Sequence, residues 1–336
     1  MDQKLNTKTL TLLIALCIGW TLLYADRTAL YPLLSIIGEE FSLSSTQLGA
    51  ITSSYFLIYV IMQIPSGILS DRLGKKSLLV YMYAIAGIGL LCFGFFARNY
   101  TLLLLFTAFH GLGASAYYPC AYGIMLDYVP KQNWATGAAI INLGMSFGLI
   151  IGLAISGPLY LRFQSYSAIF IGLAFLTLMV AVLFKYTLPE VKPTNSSDKA
   201  FPLLEVVKNK NLLFINLAQF CSLYGYWVAV VWGSTFFYTE RNISMELSGL
   251  FVAIVGISAL IPSLLVSRIS DKLGRKKIAL LLFPLGALTI FAMAYAKSTL
   301  SIVLALVAYG IVGKSSWDPI AVAWTGEHAT YLNKDA

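Results

Sequence analysis

Four ionisable side chains stand inside long apolar stretches of this sequence: Asp26 and Arg27 in the first, Lys314 and Asp318 in the last. A charge held within a bilayer costs about 2.5–3.5 kcal/mol on the insertion scale, so such groups serve ligand contact, proton movement or a structural ion pair. Arg27 offers a planar fork that grips a carboxylate or phosphate through two parallel hydrogen bonds. Lys314 offers a point charge to the same kind of ligand. Asp26 is the first candidate proton carrier, because burial and a neighbouring cation act on its ionisation in opposite senses; Asp318 is the second. The alternative for both pairs is plain neutralisation. A four-residue spacing puts Lys314 and Asp318 on one helical face, whereas Asp26 and Arg27, as neighbours, point about 100° apart.

The elements that must carry these groups follow from composition. Of 336 residues, 58% are hydrophobic and 11% charged, against roughly 25% charged in soluble domains. Apolar windows of the length that crosses a hydrocarbon core fall at 9–36, 45–69, 76–97, 101–127, 135–161, 166–187, 211–238, 246–268, 277–296 and 299–325. Ten spans make an all-α polytopic protein of the lipid bilayer. Of its 23 basic residues, seventeen fall on the side of the N-terminus and four on the other, which places the N-terminus and the linker in the cytoplasm. The +8 net charge thus follows topology and implies no nucleic-acid partner. Cys17, Cys92, Cys120 and Cys221 lie in apolar sequence without CxxC spacing, so neither disulfide nor metal site is expected. No nucleophile and base pairing, metal spacing or phosphate loop points to an enzyme or a cofactor.

Residues 188–210 are polar and divide a first part, 1–187, with six spans, from a second, 211–336, with four. The parts are related. Ser70-Asp71-Arg72-Leu73-Gly74-Lys75-Lys76 recurs 200 residues later as Ser270-Asp271-Lys272-Leu273-Gly274-Arg275-Lys276, and Gly113, Pro119 and Ala121 recur as Gly313, Pro319 and Ala321. A period this long marks a duplicated half rather than a stacked repeat. Pro119 and Pro319 each remove a helical hydrogen bond and free the carbonyl four residues earlier, at Ser115 and Ser315; broken helices at membrane depth line cavities. Tyr118 near one break, with Tyr59, Gln63 and Tyr224, supplies polar and aromatic surface. Gly144, Gly148 and Gly152 are spaced for close helix packing. His110 reads as a helix-to-helix hydrogen bonder with a minor claim to proton relay.

The paired loops resemble the signature of the major facilitator superfamily, read here from Gly67 through Asp71, Arg72, Gly74, Lys75 and Lys76, and again through Asp271, Lys272, Gly274 and Arg275, with Ser267 in place of the leading glycine. Within it, Tyr24, Asp26-Arg27, Gln47, Gly49, Tyr59, Gln63, Pro65 and Gly67 are similar to the anion:cation symporters. The chain departs from them at Thr107 and Ala114, where members that carry sugar acids often have an arginine and a glutamate. The resemblance implies pseudo-symmetric halves, with the second lacking two helices, as in a protein truncated after its tenth span. It implies a conformational latch at the two loops, and a central cavity lined by the first and tenth spans, where Arg27 and Lys314 would hold the ligand. The expected activity is proton-coupled uptake, or sodium-coupled in some relatives, of a small organic anion across the cell membrane by a monomer. Two alternatives stay open: an exporter of drugs or metabolites, and a non-transporting membrane protein acting as sensor or assembly partner.

Overall fold

A computed structural model describes residues 7–130, 134–190, 208–318, 320, 321 and 324. Most of the expected linker, Pro319 and the side chains of Asp71, Asp271 and Lys272 lie outside the described residues. The chain divides into two compact units, Met1–Ser197 and Asp198–Ala336.

The first unit contains α1 (Thr7–Thr28), α2 (Leu30–Glu40), α3 (Ser45–Leu73), α4 (Lys75–Phe96), α5 (Tyr100–Ala114), α6 (Tyr117–Tyr128), α7 (Trp134–Phe163) and α8 (Tyr166–Thr187). The second contains α9 (Lys210–Arg241), α10 (Met245–Leu273), α11 (Arg275–Tyr295) and α12 (Thr299–Val312). Their repeat is visible element by element: α3 and α10 are both 29 residues long and offset by 200. Each ends on a glycine with positive φ, Gly74 at 89° and Gly274 at 94°. Around Gly274 there is open space, so backbone conformation alone, which a Cβ resists, demands glycine there.

Nine helices among the described residues are long and apolar enough to cross a membrane, where the sequence shows ten apolar windows. The difference is the fourth window, split between α5 and α6 around Ser115 and Ala116. Pro119 is the cause: its ring crowds the carbonyl of Ser115, and it has no N–H to return. The hydroxyls of Ser66 and Ser115 meet at 3.1 Å beside this break, both buried. The first window is also interrupted, at Ala29 between α1 and α2, and Pro32 accounts for it by the same rule. In the last window the interruption falls at Gly313, two residues before the carbonyl that Pro319 was expected to free; the helix resumes at Lys314.

Two seams hold the first unit. Along one, α7 lies on α1 with no room for side chains. A Cβ on Gly144 would stand 2.9 Å from Trp20, one on Gly148 2.5 Å from Tyr24, and one on Gly152 2.7 Å from the Ala25 carbonyl oxygen. The Thr28 hydroxyl bonds across to the Gly148 carbonyl at 3.3 Å. Small residues substitute here for the hydrophobic drive that is weak between helices in lipid. Along the other, α8 packs on α4, and Phe184 meets Tyr83 edge-on, ring centroids 5.0 Å apart. At the loop end, Lys75 pairs with Asp127 at 2.6 Å and Lys76 with Glu190 at 3.1 Å, so two of the signature cations tie α4 to the ends of α6 and α8.

Candidate functional site

In the first unit, Asp26 and Arg27 occupy the last turn of α1, just before the break at Ala29. Both are buried, at 1% and 7% exposure. Their side chains part company, as adjacent helical positions must. The Asp26 carboxylate faces α8, where the Thr177 hydroxyl donates to Oδ2 at 2.7 Å. The Arg27 guanidinium faces aromatic rings, 4.0 Å from the centroid of Tyr24, 5.1 Å from Phe56 and 5.6 Å from Tyr55. A cation over ring faces is attracted by the ring quadrupoles, so these rings help hold the guanidinium in place.

Around this box stand the other candidates of the first unit. Tyr59 stacks on Tyr55 with centroids 5.7 Å apart, and Gln63, one turn along α3, reaches the Tyr59 hydroxyl. Tyr118, in the first turn of α6 beside the α5–α6 break, is half-exposed and stacks on Tyr122 at 4.4 Å. His110 Nδ1 meets the Ala86 carbonyl oxygen at 3.1 Å and joins α5 to α4. Its ring lies 5.3 Å from that of Tyr55. A hollow of about 30 Å³ is bounded by Asp26, Arg27, Tyr31, Thr52, Thr107 and His110.

In the second unit, Lys314 is buried and forms an ion pair with Asp318 one turn on. Gln219 of α9 donates to the other Asp318 oxygen at 2.7 Å, and the Lys314 ammonium stands 5.1 Å from the Tyr226 ring. Tyr224, singled out in the sequence, is 67% exposed. The reason is rotational: Tyr226 follows Gln219 by seven residues and shares its helix face, whereas Tyr224 follows by five and is turned well away. A hollow of about 220 Å³ lies against Lys314, Trp317, Tyr309, Phe283 and Ser222. Of the residues expected to form a latch, Gly74 and Gly274 shape their loops, Lys75 is engaged, Arg72 is exposed, and Gly67 lies 3.8 Å from Pro119 by its would-be Cβ.

A bundle of apolar helices with intramembrane charges and two matching glycine-cornered loops defines a multi-pass membrane protein of the carrier type. The profile of the Major Facilitator Superfamily matches residues 16–332, and the chain belongs to that superfamily. It is 27% identical over 252 residues to a hexuronate transporter of Bacillus subtilis, a match covering 70% of this chain and 58% of that protein. It is 22% identical over 297 residues to a probable sulfoacetate transporter of Cupriavidus necator, covering 82% and 68%. The chain thus spans little more than half the length of the hexuronate transporter. Among solved structures, a bacterial homologue of the human lysosomal transporter Spinster, inward-facing and occupied, superposes with a TM-score of 0.78 at 20% identity, over 92% of this chain and 72% of that one. A D-xylose-proton symporter superposes at 0.70 with 17% identity, over 94% and 82%. These likenesses show the fold. The family and these relatives are membrane transporters, not enzymes.

Proposed function

We propose that the chain serves proton-coupled uptake of a small organic anion by alternating access across the cell membrane, as a monomer with its N-terminus in the cytoplasm. The observation that carries this reading is Arg27, a permanent cation buried at the end of α1 among Tyr24, Tyr55 and Phe56, with the Asp26 carboxylate beside it in sequence. Arg27 binds the carboxylate or sulfonate of the ligand; Tyr59, Gln63 and Tyr118 contact its polar body. The names of the relatives support the ligand class, since hexuronate and sulfoacetate are both small organic anions. Asp26 takes the proton. Lys314 adds positive field, tempered by the Asp318 carboxylate that it pairs with, and Tyr224 is left a peripheral contact by its exposure. The loops at Gly67–Lys76 and Asp271–Lys276 act as the latch between conformations.

The test is thermal stabilisation of the purified chain by glucuronate, sulfoacetate and a cationic drug, since a ligand of the folded state raises its apparent stability. Either anion should stabilise the chain, Arg27→Lys should abolish the effect, and Asp26→Asn should keep anion binding while losing its dependence on pH. Stabilisation by the cation alone sinks the proposal in favour of an exporter.

A further inference from the structure

We propose that the hollow between Asp26, Tyr31 and His110 is a hydration site, and that a water held there makes His110 the partner of Asp26 in holding the coupling proton. The argument starts from three polar atoms. Asp26 Oδ1, His110 Nε2 and Tyr31 Oη are buried and have no hydrogen-bond partner among the described residues, and their residues are all 3% exposed or less. All three residues bound the same hollow. Buried polar atoms in folded proteins are satisfied by protein or by ordered water almost without exception.

The tautomer of His110 fixes what must lie there. Its Nδ1 faces the Ala86 carbonyl oxygen, which only accepts, so Nδ1 carries the hydrogen and Nε2 keeps a lone pair. An ionised Asp26 Oδ1 is also an acceptor. Two acceptors whose residues bound one hollow, with Leu30, Leu90, Phe93, Phe106 and Phe170 as its apolar wall, are both met by one molecule with two hydrogens, and Tyr31 Oη completes its shell as donor or acceptor. The size agrees: about 30 Å³ exceeds the ~10–15 Å³ that one water requires and is far below the ~300 Å³ at which small-molecule pockets begin. The organic ligand therefore stays outside, and only water and the proton enter.

Proton movement across this site balances simply. The Asp26 Oδ1–H bond breaks as its proton passes to the water, which passes one of its own hydrogens to His110 Nε2. The water is regenerated, leaving a carboxylate and an imidazolium. The charged and titratable groups facing the imidazole are Arg27 and Asp26 from α1, Tyr31 from α2 and Tyr55 from α3; α4 contributes the Ala86 carbonyl and α8 the Thr177 hydroxyl on Asp26. Arg27 opposes the imidazolium and favours the Asp26 carboxylate, and an anion bound to Arg27 weakens both effects. Anion binding and a proton held on the Asp26–His110 pair then favour each other reciprocally, a coupling that rests on the anion reading above.

The chain has two histidines, His110 and His328, so His328→Gln labelled with nitrogen-15 histidine and held in lipid nanodiscs gives one imidazole spectrum. The expected result is the Nδ1–H tautomer, magnetisation transfer from water to the Nε2 site, and an Nε2 line displaced by Asp26→Asn. No transfer from water means a dry hollow and overturns the proposal; an Nε2 line unmoved by Asp26→Asn overturns it as well. If Asp26→Asn does not fold, the infrared carboxyl band of Asp26 is followed in His110→Gln instead: a displaced band supports the site and an unmoved one overturns it. Adding glucuronate separates the two readings. A spectrum blind to glucuronate that retains the water contact supports the hydration site while the anion reading fails.

Discussion

Gly148→Ala is the substitution with the clearest expected cost. The added methyl would lie 2.5 Å from Tyr24 Cβ and 3.0 Å from the Ala25 nitrogen, and closest of all to the Thr21 carbonyl oxygen. These are main-chain atoms or a Cβ, not the far end of a side chain that could swing aside. Restoring ordinary contact at 3.4 Å requires α1 and α7 to part by about 1 Å. Gly144 and Gly152 hold the same seam and resist the movement on either side. Overpacking of this kind costs about 1–3 kcal/mol, and the displaced turn is the one that carries Asp26 and Arg27. Gly172→Ala is the internal control: its Cβ meets nothing within 4 Å, and alanine is the better helix former by about 1 kcal/mol. Equilibrium unfolding in mixed micelles should rank Gly148→Ala below the parent and Gly172→Ala at or above it, with anion stabilisation weakened only in the former. If the two variants unfold together, α1 and α7 are not in backbone contact and the reasoning fails.

Thr177→Val removes the donor to Asp26 Oδ2; the same unfolding assay should show a loss of about 0.6–1.7 kcal/mol, the range for interhelical hydrogen bonds in a bilayer, with Thr177→Ser close to the parent. Asp318→Asn leaves the Lys314 ammonium without its carboxylate and should destabilise more than the double change Lys314→Met with Asp318→Leu, which removes both charges. The effect should fall short of the ~3–5 kcal/mol of a fully buried pair, because the Asp318 side chain is 27% exposed. Gly274→Ala meets no neighbour, so its expected cost of about 1–3 kcal/mol comes from φ alone. Gly274→Asn should give no rescue, because ψ at this position is 135°, outside the left-handed helical region that asparagine tolerates.

The features legible in the sequence are those set by neighbours in the chain. Pro119 announces the break in the fourth span, Gly74 and Gly274 announce the matching corners, and the four-residue spacing of Lys314 and Asp318 announces their ion pair. Features set by how one helix is rotated against another were not legible. Thr177 is 151 positions from Asp26, and nothing in either local sequence names the other. Tyr226 rather than Tyr224 meets Lys314 because the face of α9 is chosen by packing, and both tyrosines look alike in a string of apolar residues. Pro32 carries the same signal as Pro119: the rule that places a break in the fourth span also places the one beside Arg27.

The corners at Gly74 and Gly274 separate what a short stretch of chain decides for itself from what its surroundings decide. Two loops in separate units, one of them with open space around its glycine, adopt φ and ψ within a few degrees of each other. A conformation reproduced in different surroundings is encoded by its own short stretch of chain. Each corner is therefore set locally, and it turns α3 into α4 and α10 into α11 without help from the rest of the chain, unlike the contact of Thr177 with Asp26, which needs residues 151 positions apart to be brought together.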